Sequence, residues 1–494
     1  MASTSTDRPT VAIAGATGFV GTAVREALAE EYRIIGLTRS PIRARANADA
    51  DAPETWRHCD LFSPHEVRAA LKGADYAIYL VHSLLPSSRL TQGTPADLDL
   101  MMADNFARAA AAQGVKQILY IGGLIPDDAP ASSQVVRRLE VERALQSGEV
   151  PCTSLRAGLI VGPGGTRLQM LLNLVRRLPV MVLPDWAKAQ TQPIALSDVI
   201  RALKRCLGQP EAYRGPFDIG GPEVMTYRTM MNRAARELGL TRYMIDTPVS
   251  APRISKLWVQ LFGGAPRGLV DPIVESLRHN ATVEPNPLHE WLQAEALPFE
   301  EALRRSVDAS GRSLPNPRQN LRDEEDALIR AASVVRSVQR LPLPPGFSAR
   351  DVAKEYMDWL PRFGWPLLNC TIDGPIVRFK LKGLGLTLLE LTYAETRCLN
   401  ERELFHVTGG LLADMTNAHE GRLEFRTVLG GRYAMAAVHD FAPTLPWYMY
   451  NATQALAHLW VMNRFGHHLD VLRRKRLAEA DPSAADTTQP ALQQ

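Results

Sequence analysis

The stretch that most constrains this chain is Val11–Gly21, which reads V-A-I-A-G-A-T-G-F-V-G. Four apolar residues, Val11 to Ala14, run directly into Gly15, Gly18 and Gly21, and Thr22 to Glu30 then follow helical spacing. The pattern predicts a buried strand, a tight turn and a helix start. Gly15 permits the turn, Gly18 lets backbone approach a diphosphate, and Gly21 lets the helix pack close on the strand. The first N–H groups of that helix, with the positive end of its dipole behind them, then face the phosphates. The turn residues Gly15, Ala16, Thr17, Gly18, Phe19, Val20 and Gly21 are therefore the expected cofactor cradle.

The next segments keep the same alternation. Arg33–Thr38 is a second strand ending on Arg39-Ser40. An acid at this strand end holds a ribose 2′-hydroxyl, whereas an arginine accommodates a 2′-phosphate. With Arg39 there, and Ser40 and Arg43 beside it, the expected cofactor is NADP(H) rather than NAD(H). A third strand leads to Cys59-Asp60-Leu61, placing Asp60 and Leu61 near the adenine. Ser63-Pro64-His65-Glu66 reads as an N-cap, a first-turn proline and the acid of a capping box. Tyr76–Val81 is a fourth strand, and Val81 and His82 end it where the chain passes the cofactor. Thr94-Pro95-Ala96-Asp97 opens a helix running through Asn105 to Gly114. Gln117–Ile121, a helix over Ser132–Gln146 and a strand over Thr153–Val161 complete the pattern. Strands and helices at this spacing predict an α/β fold, a Rossmann-type doubly wound parallel sheet.

The 494 residues exceed one ordinary core. A net charge of +3 with well-mixed signs implies no nucleic-acid surface. Cys59, Cys152, Cys206, Cys370 and Cys398 are scattered and odd in number, which reads as reduced thiols of a cytoplasmic protein.

The G-A-T-G-F-V-G turn, Cys59-Asp60-Leu61, Leu155-Arg156-Ala157-Gly158 before G-P-G-G, Pro193-Ile194 before Asp198-Val199, and Phe217–Pro222 with Thr226 opening a helix resemble the extended or atypical short-chain dehydrogenase/reductase family. The likeness spans about residues 10–307 and is closest to its NmrA-like and epimerase-like branches. It implies a dinucleotide domain with a small substrate lobe, and a reductase, an isomerase or a non-catalytic redox sensor. Active members carry Tyr-x-x-x-Lys on the helix after the fifth strand, with a hydroxyl at that strand's end. Here the helix reads Ser132-Ser133-Gln134-Val135-Val136-Arg137-Arg138, and the strand ends in Gly122-Gly123. Ser133 and Arg137 share the i, i+4 spacing, but serine is a weak acid and arginine stays protonated. Asn105 matches the family's water-relay asparagine, and His82 is the remaining acid or base, at a strand end where open sheets bind ligands. The expected catalytic set is thus His82, Asn105, Ser133 and Arg137. Amphipathic segments at Pro252–Phe262 and Leu269–Leu277 would line the lobe for a small hydrophobic substrate.

Residues 308–346 read as a linker, with a polar helix near Glu324–Arg336 and the stiff L-P-L-P-P-G ending at Gly346. From 347 to 475 a helix, strands at Ile376–Lys380, Leu386–Thr392, Glu403–Val407, Leu423–Val428 and Tyr433–His439, and one long helix Trp447–Arg474 predict an α+β domain, an antiparallel sheet plus a helix. Its element order resembles START-like helix-grip domains. The long helix plugs the sheet or else makes a peripheral membrane contact. His467 and His468, adjacent on a helix, point apart, so no metal site is expected. Residues 1–9 and 476–494 read as disordered ends, and the oligomeric state is left open.

Overall fold

The structure is a computed structural model that describes residues 8–46, 52, 54–82, 91–126, 133–246, 278–315, 335–363, 368–398, 401–415 and 421–480. The amphipathic segments expected at Pro252–Phe262 and Leu269–Leu277 lie outside these residues, as does most of the helix expected near Glu324. The chain divides into two compact units. Residues 1–85 and 102–326 make the first, and residues 86–101 and 327–494 make the second.

In the first unit the alternation appears as read. Strand β1 (Thr10–Ala14) leads to α1 (Phe19–Leu28), β2 (Arg33–Thr38), α2 (Pro41–Ala46), β3 (Glu54–His58), α3 (Pro64–Ala70) and β4 (Tyr76–Tyr79). After the short β5 (Thr91–Gln92) come α4 (Pro95–Ala112), β6 (Gln117–Gly123), α5 (Ser133–Gln146) and β7 (Cys152–Ala157). Then follow β8 (Ile160–Val161), α6 (Thr166–Arg177), β9 (Val180–Leu183), β10 (Gln190–Thr191), β11 (Ile194–Ala195), α7 (Leu196–Cys206), β12 (Pro216–Ile219), β13 (Met225–Thr226), α8 (Tyr227–Glu237) and β14 (Tyr243–Asp246). Two further helices, α9 (Pro287–Gln293) and α10 (Phe299–Arg304), close the series.

Seven strands form one parallel sheet in the order β12-β7-β6-β4-β1-β2-β3. The order reverses beside β1, which is where such sheets hold dinucleotides. Val11, Ile13, Ile78, Leu119 and Leu155 pack one face against Val24 and Leu28 of α1 and Val199 and Leu203 of α7. A second core joins α6, Trp186, α8 and α10 into the lobe that the resemblance implies. The single strand expected over Thr153–Val161 is instead two, β7 and β8. It breaks at Gly158, where the chain leaves the main sheet and pairs β8 with β11.

The second unit begins a strand earlier than expected. Val335–Pro342 is strand β15, paired along its length with β21 (Tyr433–Phe441), so the segment read as linker and helix carries sheet structure. Burial explains this: Val335, Ser337, Val338 and Leu341 are all buried in the sheet, the pairing shifts register between Val335 and Ser337, and Pro342 ends the strand. Residues 86–101 also belong here, since β5 pairs with β15 and Asp97 accepts from Arg340 at 2.8 Å. Then come α11 (Ala349–Phe363), β16 (Leu368–Asp373), β17 (Ile376–Leu381), β18 (Thr387–Tyr393), β19 (Arg402–Gly409) and β20 (Arg422–Val428), followed by β21. The sheet order is β16-β17-β18-β19-β20-β21-β15-β5, antiparallel throughout except at β5.

The terminal helix is divided into α12 (Trp447–Ala452) and α13 (Gln454–Ala480) at Thr453, whose φ of −129° and ψ of −79° are not helical. It runs past Arg474, so residues 476–480, read as tail, are helical. Met462, Phe465 and Leu469 of α13 are buried against the sheet core. The Phe465 ring lies 5.1 Å from that of Tyr356 and 5.3 Å from that of Trp359, both on α11. These contacts supply the plugging role expected of this helix. Among the described residues no helix is long and apolar enough to cross a membrane.

Candidate functional site

The glycine turn has the geometry that its spacing predicts. Gly15 takes a positive φ of 84°, and a Cβ there would lie 2.9 Å from the Leu80 carbonyl oxygen. A Cβ on Gly21 would overlap the Gly15 carbonyl oxygen and come within 2.9 Å of the Ala16 Cα. On Gly18 it would meet only the Gly15 oxygen, at 3.2 Å, and otherwise reach open space. Gly15 and Gly21 are thus required by the fold, whereas Gly18 keeps room in front of the turn. A cradle that a side chain at Gly18 would fill fits a diphosphate approached by backbone.

At the end of β2, Arg39 is half-buried and Ser40 is buried. The Ser40 hydroxyl accepts from the Arg43 N–H at 3.2 Å, so Ser40 caps α2. Arg43 lies over the Trp56 ring at 5.0 Å from its centroid, and Arg25 lies over the same ring at 5.0 Å. Trp56 in turn fills the space opposite Gly36, where a Cβ would come within 2.6 Å of the indole. This packing holds the strand end carrying Arg39.

The third expected contact, Asp60-Leu61, is braced from two sides. Asp60 accepts the Phe62 N–H at 3.1 Å, and its own N–H donates to the Glu66 carboxylate at 2.9 Å. Glu66 therefore does not close the capping box on Ser63, although the Ser63 hydroxyl does accept the Glu66 N–H at 3.4 Å. Reaching three residues further back, the acid ties helix α3 to the loop rather than to its cap. Asn105 is buried and its side-chain amide donates to the Leu61 carbonyl at 2.8 Å. The residue matched to a water relay thus secures the Leu61 turn from α4.

The expected catalytic residues meet only in part. Val81 and His82 follow β4, and the His82 ring stands 6.1 Å from the Tyr120 ring, edge on. Burial, with Arg138, Arg137 and Arg167 acting in the same direction, pushes the His82 imidazole down to about 3. His82 is therefore neutral at working pH. In that form it can donate or accept a hydrogen bond. Ser133 opens α5, and its side chain lies outside the described part. Tyr120 is fully buried in β6, and its hydroxyl donates to the Arg138 carbonyl at 3.4 Å.

Arg138 crowds the end of β6. A Cβ at Gly123 would lie 3.1 Å from the Arg138 Cδ and collide with its guanidinium. The position where the resemblance expects a hydroxyl is filled by an arginine side chain.

Two residues absent from the sequence reading join this cluster. Arg167, in the first turn of α6, donates to the Gln134 side-chain oxygen of α5 at 3.0 Å. It acts electrostatically on both His82 and Tyr227. Tyr227 begins α8 and packs edge-on against Trp186 at 6.1 Å. Burial raises the Tyr227 phenol, while Arg167 and a hydrogen bond with Thr191 pull it back. The two stand in different helices, so no local spacing could have announced the pair.

Residues 15–157 match the family described as NAD(P)H-binding. The auxiliary protein GraX of Staphylococcus aureus is 34% identical over 116 residues, 24% of this chain, and the match spans 37% of that protein's length. Among solved structures, Citrobacter sp. triphenylmethane reductase complexed with NADP(H) is 19% identical, with 60% of this chain and 100% of that chain covered and a TM-score of 0.47. The Escherichia coli quinone oxidoreductase QOR2 complexed with NADPH is 18% identical, over 59% and 98% of the two chains, with a TM-score of 0.46. The matched segment contains the whole glycine cradle, β2, β4 and β6. Residues 15–157 of this chain thus resemble an NAD(P)H-binding family and carry the Rossmann-type sheet.

Proposed function

We propose that the chain is an NADP(H)-dependent oxidoreductase whose acceptor, a molecule with an apolar body, reacts at the C-terminal ends of β4 and β6. Bound NADPH supplies the hydride. The chain's part is to hold the cofactor on the Gly15–Gly21 turn, set Arg39 toward the 2′-phosphate, and place proton-bearing groups beside the acceptor. The observation that carries the reading is the glycine cradle left open at Gly18; beyond it, Arg167 acts electrostatically on both the Tyr227 phenol and His82. A phenol beside a fixed cation performs the task that Tyr-x-x-x-Lys performs elsewhere, donating a proton while the cation stabilises the phenolate. A second reading, an NADP(H)-binding protein without turnover, is favoured by the Arg138 side chain standing where the hydroxyl is expected.

The cofactor assignment is tested by titration with both nucleotides. Arg39→Ala is expected to weaken NADPH binding about 10- to 100-fold, the worth of a charged hydrogen bond, and leave NADH within about 3-fold. A preference for NADH that survives in the wild type and the variant alike would remove the 2′-phosphate role. Gly18→Val is expected to abolish binding of both nucleotides while the melting temperature stays within a few degrees, since its Cβ meets only one backbone atom. Turnover is read as NADPH oxidation against quinones, enones and aldehydes. A Tyr227→Phe variant that keeps full rate would exclude the phenol as proton donor, and no oxidation with any acceptor would favour the second reading.

A further inference from the structure

The inner face of α13 plugs the sheet, and its outer face has a composition of its own. Leu456, Trp460, Arg464, His467, Val471 and Lys475 follow one another at three- and four-residue spacing, which sets them on one stripe of the helix. All six are exposed, while Met462, Phe465 and Leu469, on the opposite side, are buried in the sheet core. The three apolar members are 54–63% exposed. A single exposed leucine is ordinary, but three apolar residues on one stripe make a face. Trp460 rests part of its ring on Phe363, with 4.8 Å between centroids, and leaves the rest open.

The stripe changes character along its length. Residues 441–463 contain no Asp, Glu, Lys or Arg, whereas residues 464–480 contain five basic residues against two acidic ones. Arg473 and Arg474 share Asp470, at 2.8 and 2.7 Å, and one carboxylate cannot neutralise both. At the uncharged end the apolar surface continues onto α12, where Tyr448 and Met449 are exposed and Tyr450 is buried. It also reaches the loop after β19: the Thr444 hydroxyl donates to the Leu411 carbonyl at 3.0 Å, and Leu411 is itself exposed.

We propose that this stripe lies on the surface of an anionic bilayer, with Tyr448, Leu456 and Trp460 entering the headgroup region and Arg464 and Lys475 meeting lipid phosphates. Aromatic and leucine side chains beside exposed cations are the composition of a helix that lies in the membrane surface. The 27 residues of α13 lie flat there, since no helix among the described residues is long and apolar enough to cross. Charge argues against a second copy of this chain as the occupant. Pairing two such helices sets each basic half against its twin or against an apolar half, and neither neutralises it. Anionic headgroups do. The contact belongs to the second unit and depends on neither the dinucleotide nor turnover.

Cosedimentation of the full chain with lipid vesicles measures this. The wild type is expected to pellet with vesicles that mix phosphatidylcholine and phosphatidylglycerol, and to bind phosphatidylcholine alone about 10-fold or more weakly. Leu456→Glu combined with Trp460→Glu is expected to abolish pelleting while the melting temperature stays within a few degrees, because both side chains are more than half exposed. Arg464→Gln combined with Lys475→Gln is expected to weaken binding to the mixed vesicles about 10- to 30-fold, the worth of two cations at a charged surface. If the first pair does not fold, the second carries the test. No pelleting of the wild type with mixed vesicles, undiminished pelleting of either double variant, or equal binding to the two kinds of vesicle would each overturn the proposal. A wild type that ignores vesicles but dimerises, and turns monomeric with the two glutamates, would assign the stripe to a second copy instead.

Discussion

Gly21→Ala is expected to destabilise the first unit by about 3 kcal/mol and to abolish NADPH binding with it. Inside an exposed helix the same change gains about 1 kcal/mol, because alanine gives up less backbone entropy and shields the helix better. Here the sign reverses. The new methyl would overlap the Gly15 carbonyl oxygen and sit 2.9 Å from the Ala16 Cα, and both are backbone atoms that no rotamer change can clear. Relief requires α1 to move off β1, where Val24 and Leu28 are fully buried, and overpacking of this kind costs about 1–3 kcal/mol or more. Urea unfolding followed by circular dichroism measures it. An unchanged midpoint would mean that α1 and β1 are not held at the spacing described. Gly114→Ala, at a positive φ of 70° but with nothing within 4 Å, is a control in which only the backbone conformation is strained.

The second large effect lies in the other unit. Glu424 of β20 is 1% exposed and is gripped by Arg426 Nε at 2.6 Å and Arg402 Nη2 at 3.0 Å, with His439 Nε2 at 3.8 Å. Burial alone would push its carboxyl up. Arg426, Arg402 and His439 outweigh it and bring it down to about 2. Glu424→Ala leaves those arginines without their shared acid inside the sheet and is expected to cost about 3–5 kcal/mol. The sign of the pH dependence follows from the same numbers. A carboxyl lowered from its ordinary 4.5 contributes fully above that value, and its contribution is lost as the pH falls from there toward about 2. The difference between wild type and Glu424→Ala should therefore be widest near neutrality and shrink below about pH 4.5. A gap that stays constant from pH 7 to pH 3 would show that the carboxylate charge is not what holds the network.

Much of the first unit was legible because its signals are local. The V-A-I-A run followed by three glycines needs only nearest-neighbour sterics to specify strand, turn and helix, and Ser40 and Ser63 cap the helices that they precede. The second unit hid more. β15 is bounded by Leu-Pro repeats and carries Arg336, Gln339 and Arg340, so its period was masked by charges that the sheet itself accommodates. β5 has two residues, too few for any period to show. The site divides in the same way. The cofactor contacts lie on consecutive residues and could be named, whereas Arg167 and Tyr227 come together through the packing of α6 on α8. His82 was visible as a strand-end residue, but the burial that lowers its proton affinity, and the three arginines that add to it, come only with the fold.

The excursion of residues 86–101 has a consequence for how this protein is made and dissected. The second sheet draws its edge strand from a part of the chain that leaves the ribosome long before the partner strand β15. That edge must wait, unpaired, while the first unit's remaining strands are synthesised, and closing so long a loop carries its own entropic cost. A single cut near residue 326 would not separate two autonomous pieces. It would strand Thr91–Gln92 and Asp97 on one fragment and leave Ser337 and Arg340 without them on the other.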